Sequence, residues 1–183
     1  TASAITGGKF SNGAVTGAFS RLLNDDALQG GKKSTLNAKY EKGLEHVKSA
    51  VDEYGVLDMF EGKIAEGTTV EFKIDNSMDA AMQVRSESAS TVYVNTDSIA
   101  SYQSNHIAST VGHELVHVQD IQSAIANNIP INEGFRAQSE VNATNWQINN
   151  TSHFNLKSYG GYMRGVKNYK LQNCRVRPSM QGC

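Results

Sequence analysis

Apolar positions recur along this chain at two different periods, and the change from one to the other outlines its elements. Leu36, Tyr40, Leu44, Val47 and Val51 share one face of a helix expected over residues 37–54, with charges on the other face. Two runs of period-two alternation follow, "TTVEFKI" over residues 68–74 and "TVYVN" over residues 91–95. Both carry the β-branched and aromatic residues that suit strands. Helical spacing then returns over residues 104–127, where Ile107, Val111, Leu115, Val118 and Ile125 form an apolar arc. "NNIP" should stop this helix before Pro130, and Asn132 can cap another over residues 133–148. After Asn150 the pattern fades, with "YGGYM" marking a turn. Residues 1–31 are rich in Gly, Ser and Ala and read as a linker. Val15, Phe19, Leu22 and Leu23 give that linker one short amphipathic stretch. There is no internal repeat. Helix, strands, then two helices predict an α+β domain over residues 32–183, with a small mixed or antiparallel sheet.

Composition narrows the function classes. The chain has 183 residues, 39% apolar and 19% charged, a globular balance that suits one domain. No apolar run approaches the ~20 residues of a membrane-spanning helix, so no span is expected. The net charge of -1 gives no global signal for nucleic acid. Charge is uneven, however. Between residues 151 and 183 stand Lys157, Arg164, Lys167, Lys170, Arg175 and Arg177, with no acid. Such a segment reads as a solvated basic tail or as a docking surface for an acidic partner. Cys174 and Cys183 also lie there, at a spacing that fits neither a zinc ribbon nor a redox CxxC. They are either two free thiols or the closure of a small C-terminal loop. The chain starts at Thr1, with neither an initiator Met nor a signal-peptide profile, which suggests cleavage from something longer.

The chemistry concentrates in "HELVH", residues 113–117. At ~100° per residue, His117 falls about 40° and Glu114 about 100° from His113 around the helix axis. The histidine pair therefore stands beside the apolar arc rather than inside it. Two imidazoles one turn apart can hold one tetrahedral zinc, and the glutamate between them can reach a water on the metal. Zinc lowers the pKa of such a water to about 7. Glu114 would take the proton during attack and return it to the leaving amine.

A catalytic zinc needs a third protein ligand. No further histidine follows His117 at metzincin spacing, since the chain continues "VQDIQSA". The next helix offers Glu133 and Glu140, seven residues apart on one face. Glu133 sits at the helix start, where a carboxylate already has a structural motive in offsetting the dipole. Glu140 sits mid-helix beside Ala137 and Ala143, small residues that permit close packing. Glu140 is the favoured ligand and Glu133 the reserve. Asp120 and Asn142 are candidates to orient a ligand. His153, Tyr159 and Tyr162 are candidate donors to a developing oxyanion. His106 lies two turns before His113, too far for the metal, and His46 is expected at the surface.

Two resemblances extend this reading. "HELVH", with "TVYVN" before it and "SEVNA" in the next helix, resembles the zincin metallopeptidases of the glutamate type. "NEGF" around Glu133 is similar to the third-ligand stretch of their aminopeptidase branch. That likeness implies a zincin-like fold in which "TVYVN" is the edge strand lying along the substrate. "GGKFSNGAVTGAFSRLLND", residues 7–25, resembles the segment before the C-terminal toxin in bacterial Rhs-type and filamentous-haemagglutinin-type polymorphic toxins. That likeness implies a secreted or injected toxin tip with a cognate immunity protein, acting on a protein of the target cell. The combined expectation is a zinc-dependent metalloendopeptidase toxin. Two other readings stand beside it: a toxin that does not hydrolyse peptides, and a binding tip whose HExxH is accidental or structural.

Overall fold

The structure is a computed structural model that describes residues 33–158, 160–176 and 180–183. The linker and amphipathic stretch expected before residue 32, the side chain of Leu36 and all of Tyr159 lie outside the described residues. In chain order come α1 (Lys33–Glu53), β1 (Glu71–Ile74), β2 (Met82–Val84), β3 (Thr91–Val94) and the short α2 (Thr96–Ile99). The long helices α3 (Ser104–Ala126), α4 (Glu133–Asn149) and α5 (Gly161–Val176) follow. The class is α+β, as the periodicities predict.

The three strands form one mixed sheet in the order β1-β3-β2. β1 runs parallel to β3, with Phe72 opposite Val92, and β2 runs antiparallel to it, with Gln83 opposite Tyr93. "TVYVN" is therefore the central strand, not the edge strand expected from the zincin likeness. Thr91, Val92 and Val94 are all buried, because neighbours cover both faces of β3. The edge positions fall to β1 and to β2, whose three residues are too few to announce themselves by alternation.

Helix α3 is the hub. It packs against α1, β2, β3 and α4, and α5 packs against α4. Ile107, Val111, Leu115 and Val118 are fully buried, in one core with Val47 and Val51 of α1, Phe72 of β1 and Val92 of β3. Burying each such side chain contributes about 1.5–3 kcal/mol. Ile125 departs from the expected arc and is 56% exposed, because the helix has by then run past the core.

The stop signal works through Asn128, which adopts the left-handed region at φ 54°. The N–H of Asn128 then donates to the Ile125 carbonyl, and that of Ile129 to the Ala124 carbonyl. These are the paired bonds of a Schellman end, with asparagine where glycine usually stands. Asn132 caps α4, its Oδ1 accepting from the Phe135 N–H at 3.0 Å. The tail after Asn150 is ordered beyond expectation. A bend at Gly160 leads into α5, and Cys174 is bonded to Cys183. Among the described residues no helix is long and apolar enough to cross a membrane.

Candidate metal centre

Close approach of α3 and α4 creates the site. A Cβ on Gly112 would lie 2.0 Å from Cη2 of Trp146, so only glycine lets the indole of α4 rest on α3 at that point. Small or fully buried Ser139 and Ala143 continue the seam. At 139/140, 143 and 146/147, residues of α4 recur at helical spacing and face His113 and His117.

His113, His117 and Glu140 converge there, each offering one ligand atom, all within 4.8 Å of one another. The Nε2 atoms of the two histidines are 3.1 Å apart. Glu140 places Oε2 at 3.3 Å from Nε2 of His113 and Oε1 at 3.6 Å from Nε2 of His117. Ligands held about 2.0–2.1 Å from a tetrahedral cation lie roughly 3.3 Å from each other, so these separations are the edges of such a polyhedron. Both histidine side chains are nearly enclosed, at 13% and 12% exposure.

Hydrogen bonds behind the rings set which nitrogen faces the cluster. Nε2 of Gln147 donates to the Ser109 carbonyl at 3.2 Å, and a carbonyl can only accept. Gln147 Oε1 must therefore face Nδ1 of His113, 3.0 Å away, and Nδ1 carries the proton. That leaves Nε2 of His113 with a free lone pair pointing at the other two groups. Nδ1 of His117 meets the hydroxyl of Ser139 at 2.7 Å. The buried Glu140 Oε2 has no hydrogen-bond partner. Lone pairs and a carboxylate crowded together, with an orphaned oxygen among them, are what a cation reconciles. Burial works against the charged form of His117. The hydrogen bond that the protonated ring donates to Glu140, with the charges of Glu114, Glu140 and Asp120, outweighs it and raises the pKa of the ring. For Glu140, burial is likewise overridden by both histidines, and its carboxyl is held well below the usual range.

The cluster opens into a cleft. Glu114, itself 6% exposed, borders it beside the two histidines. β2 forms one side, and Ile121, Ile131, Phe135 and Arg136 contribute to the other. The antiparallel ladder also says how β2 presents its backbone. The Asn95 N–H donates to the Ala81 carbonyl, so Ala81 and Gln83 face β3 with their polar groups. Met82 and Val84 then turn their N–H and C=O groups to the outer edge, where no strand pairs with them among the described residues.

The remaining expected residues separate cleanly. Glu133 is exposed at the first residue of α4 and stands outside the cluster. Seven residues of helix put it about 10 Å from Glu140 along the axis, which corrects the reserve assignment. Asn142 donates to Asp120 Oδ2 at 3.0 Å, a bridge between α4 and α3 one turn beyond the ligands. Tyr162 lies behind the histidines, its hydroxyl accepting from Gln147 Nε2 at 2.8 Å. Its ring stacks on His106 with centroids 4.5 Å apart, which gives His106 a packing role. His153 is remote: Nε2 bonds the Tyr54 carbonyl at the end of α1. Sequence reasoning missed Gln147 and Tyr169. Tyr169, 45% exposed, lines the cleft from α5, and partial desolvation of its phenol together with the Glu140 charge raises it above the ordinary range. The seven-residue interval from Tyr162 to Tyr169, two turns of one helix face, was the available signal.

No family model matches the chain, and no curated protein or solved structure matches it either.

Proposed function

We propose that this protein is a zinc-dependent endopeptidase. The reading rests on one observation: two nitrogens from α3 and one carboxylate from α4 stand at tetrahedral spacing beside a glutamate that is not one of them. Two imidazoles and one carboxylate are the donor set of catalytic zinc, with a fourth position left open. Zinc held there supplies a Lewis acid that polarises a carbonyl and makes water nucleophilic near neutral pH. Glu114 accepts a proton from the attacking water as the new C–O bond forms at the peptide carbonyl. It then passes that proton to the leaving nitrogen as the C–N bond breaks, so atoms and charge balance. Tyr169, at the cleft, brings a phenolic donor for charge on the carbonyl oxygen. The outer edge of β2 supports a peptide substrate, since an extended chain can add to it as a further strand.

Delivery as a toxin is part of the proposal. It is supported by the likeness of residues 7–25 to pre-toxin segments and by the Cys174–Cys183 bond, which suits an oxidising compartment. A dedicated immunity protein and a protein substrate in the target cell follow from that likeness.

Elemental analysis of the purified protein tests the centre. About one zinc per chain is expected, retained in Glu133→Ala and Glu114→Gln and lost in Glu140→Ala. Glu114→Gln should lower peptide hydrolysis about 10²–10⁴-fold while keeping the metal. Absence of zinc from the wild type after incubation with the metal sinks the reading, as does full hydrolysis by Glu114→Gln.

A further inference from the structure

The cleft is asymmetric in a way that bears on which peptide it takes. Beside the two histidines part of its lining is apolar: Met82 and Val84 on β2, Ile121 on α3, Ile131 in the connection before α4, and Phe135 on α4. Ile131 and Phe135 are only partly buried, so they keep free surface toward the cleft. Arg136 lies next to them, exposed, and donates to the hydroxyl of Ser86 at 3.2 Å, just past the end of β2. Among the described residues it forms no ion pair, although Glu140 stands four positions on in the same helix. Among the described residues the guanidinium is held at the cleft by that neutral hydroxyl alone, which leaves most of its donors uncommitted there.

We propose, building on the endopeptidase reading, that the cleft selects peptides pairing a bulky apolar side chain beside the scissile bond with an acidic side chain that meets Arg136. A strand added to β2 runs past Met82 and Val84 toward Ser86, and so toward Arg136. Side chains on one face of an extended peptide alternate. The apolar and acidic positions are therefore an even number of residues apart. The apolar wall supplies most of the discrimination by size, since each missing methylene in such a pocket costs about tenfold or more. Arg136 supplies register and charge preference, a smaller effect at an exposed position.

A mixture of randomised peptides, with cleavage sites read by mass spectrometry, tests this with the zinc-loaded protein. The expected profile is Leu, Ile, Met or Phe next to the cut and Asp or Glu at one fixed even offset. Arg136→Glu, an exposed substitution that leaves the core intact, should move that offset to Lys or Arg, with about a fivefold change for each matched peptide. Phe135→Ala should relax the size preference without altering the charge preference. A profile that ignores charge, or one that Arg136→Glu does not change, overturns the inference while the endopeptidase reading stands. If no peptide is cut, that reading falls instead. Fluorescence anisotropy of acidic-apolar peptides on Glu114→Gln then decides the inference separately. Tighter binding than to their lysine-bearing counterparts, reversed in Arg136→Glu, sustains it, and equal or absent binding ends it.

Discussion

Gln147 shows how much the cluster of His113, His117 and Glu140 depends on a residue outside it. Its amide is fixed by the Ser109 carbonyl and the Tyr162 hydroxyl, and so presents only an acceptor to His113. Gln147→Leu removes that acceptor and frees the ring to turn or to take the other tautomer. Zinc affinity, measured by competition with a chromophoric chelator, is expected to fall about 10–100-fold. Gln147→Glu keeps an acceptor for Nδ1–H but sets its second carboxylate oxygen against the Ser109 carbonyl, so it should recover only part of the loss. Equal affinity in both variants and the wild type would mean that helix packing alone aims the ring. No sequence signal marked Gln147, because an amide supporting a ligand has no motif of its own. His113, Glu114 and His117 were legible because their spacing is itself the geometry. The preference for Glu140 over Glu133 rests on its small neighbours, and Glu140 is the one that joins the two histidines in the cluster.

At the scale of elements, the seam between α3 and α4 decides whether ligands from two helices can meet. Trp146 lies over Gly112 with no room for a methyl group, since that Cβ would stand 2.0 Å from a ring carbon. Gly112→Ala gains helix propensity of up to about 1 kcal/mol. The clash should outweigh it, because Trp146 also packs on Phe60 and Phe154 and cannot simply swing away. Net destabilisation of about 1–3 kcal/mol is expected in urea unfolding. A more stable variant would show that the indole moves freely, and that the seam is looser than its packing implies. The same element explains what could be read ahead. α3 and α4 carry sustained helical spacing bounded by Asn128 and Asn132, and their ends were foreseeable. α5 was hidden because Gly161 and Gly165 lower its propensity, and its apolar face holds little beyond Met163 and Val166. The edge position expected of β3 rests on the zincin likeness of "TVYVN", whereas its alternation alone says only that it is a strand. Which neighbours will cover a strand is a tertiary fact that no local period contains.

Over the whole molecule, the chain end returns to the centre of the fold along one connected line. The Cys174–Cys183 bond brings the last residues back against α4, where Gln181 and Gln138 exchange hydrogen bonds of 3.0 Å and 2.8 Å. Gln138 also donates to Asn142, which in turn donates to Asp120 on α3. α5, which brings Tyr169 to the cleft, is thus tied to the helices carrying the ligands by a covalent loop and a chain of amides. The two cysteines are nine positions apart. Closing a loop of that size limits the unfolded chain by about 2–3 kcal/mol. Replacing both cysteines with serine should therefore lower Tm by about 5–10 °C for a chain of this length. The line ends at Asp120 and makes no hydrogen bond to His113, His117 or Glu140, so about one zinc per chain should remain. Measuring Tm and zinc content on the same preparation separates the two roles. An unchanged Tm would show that the loop adds no constraint beyond the packing of α5. Loss of zinc would show that the returning chain end holds α4, and Glu140 with it, in place.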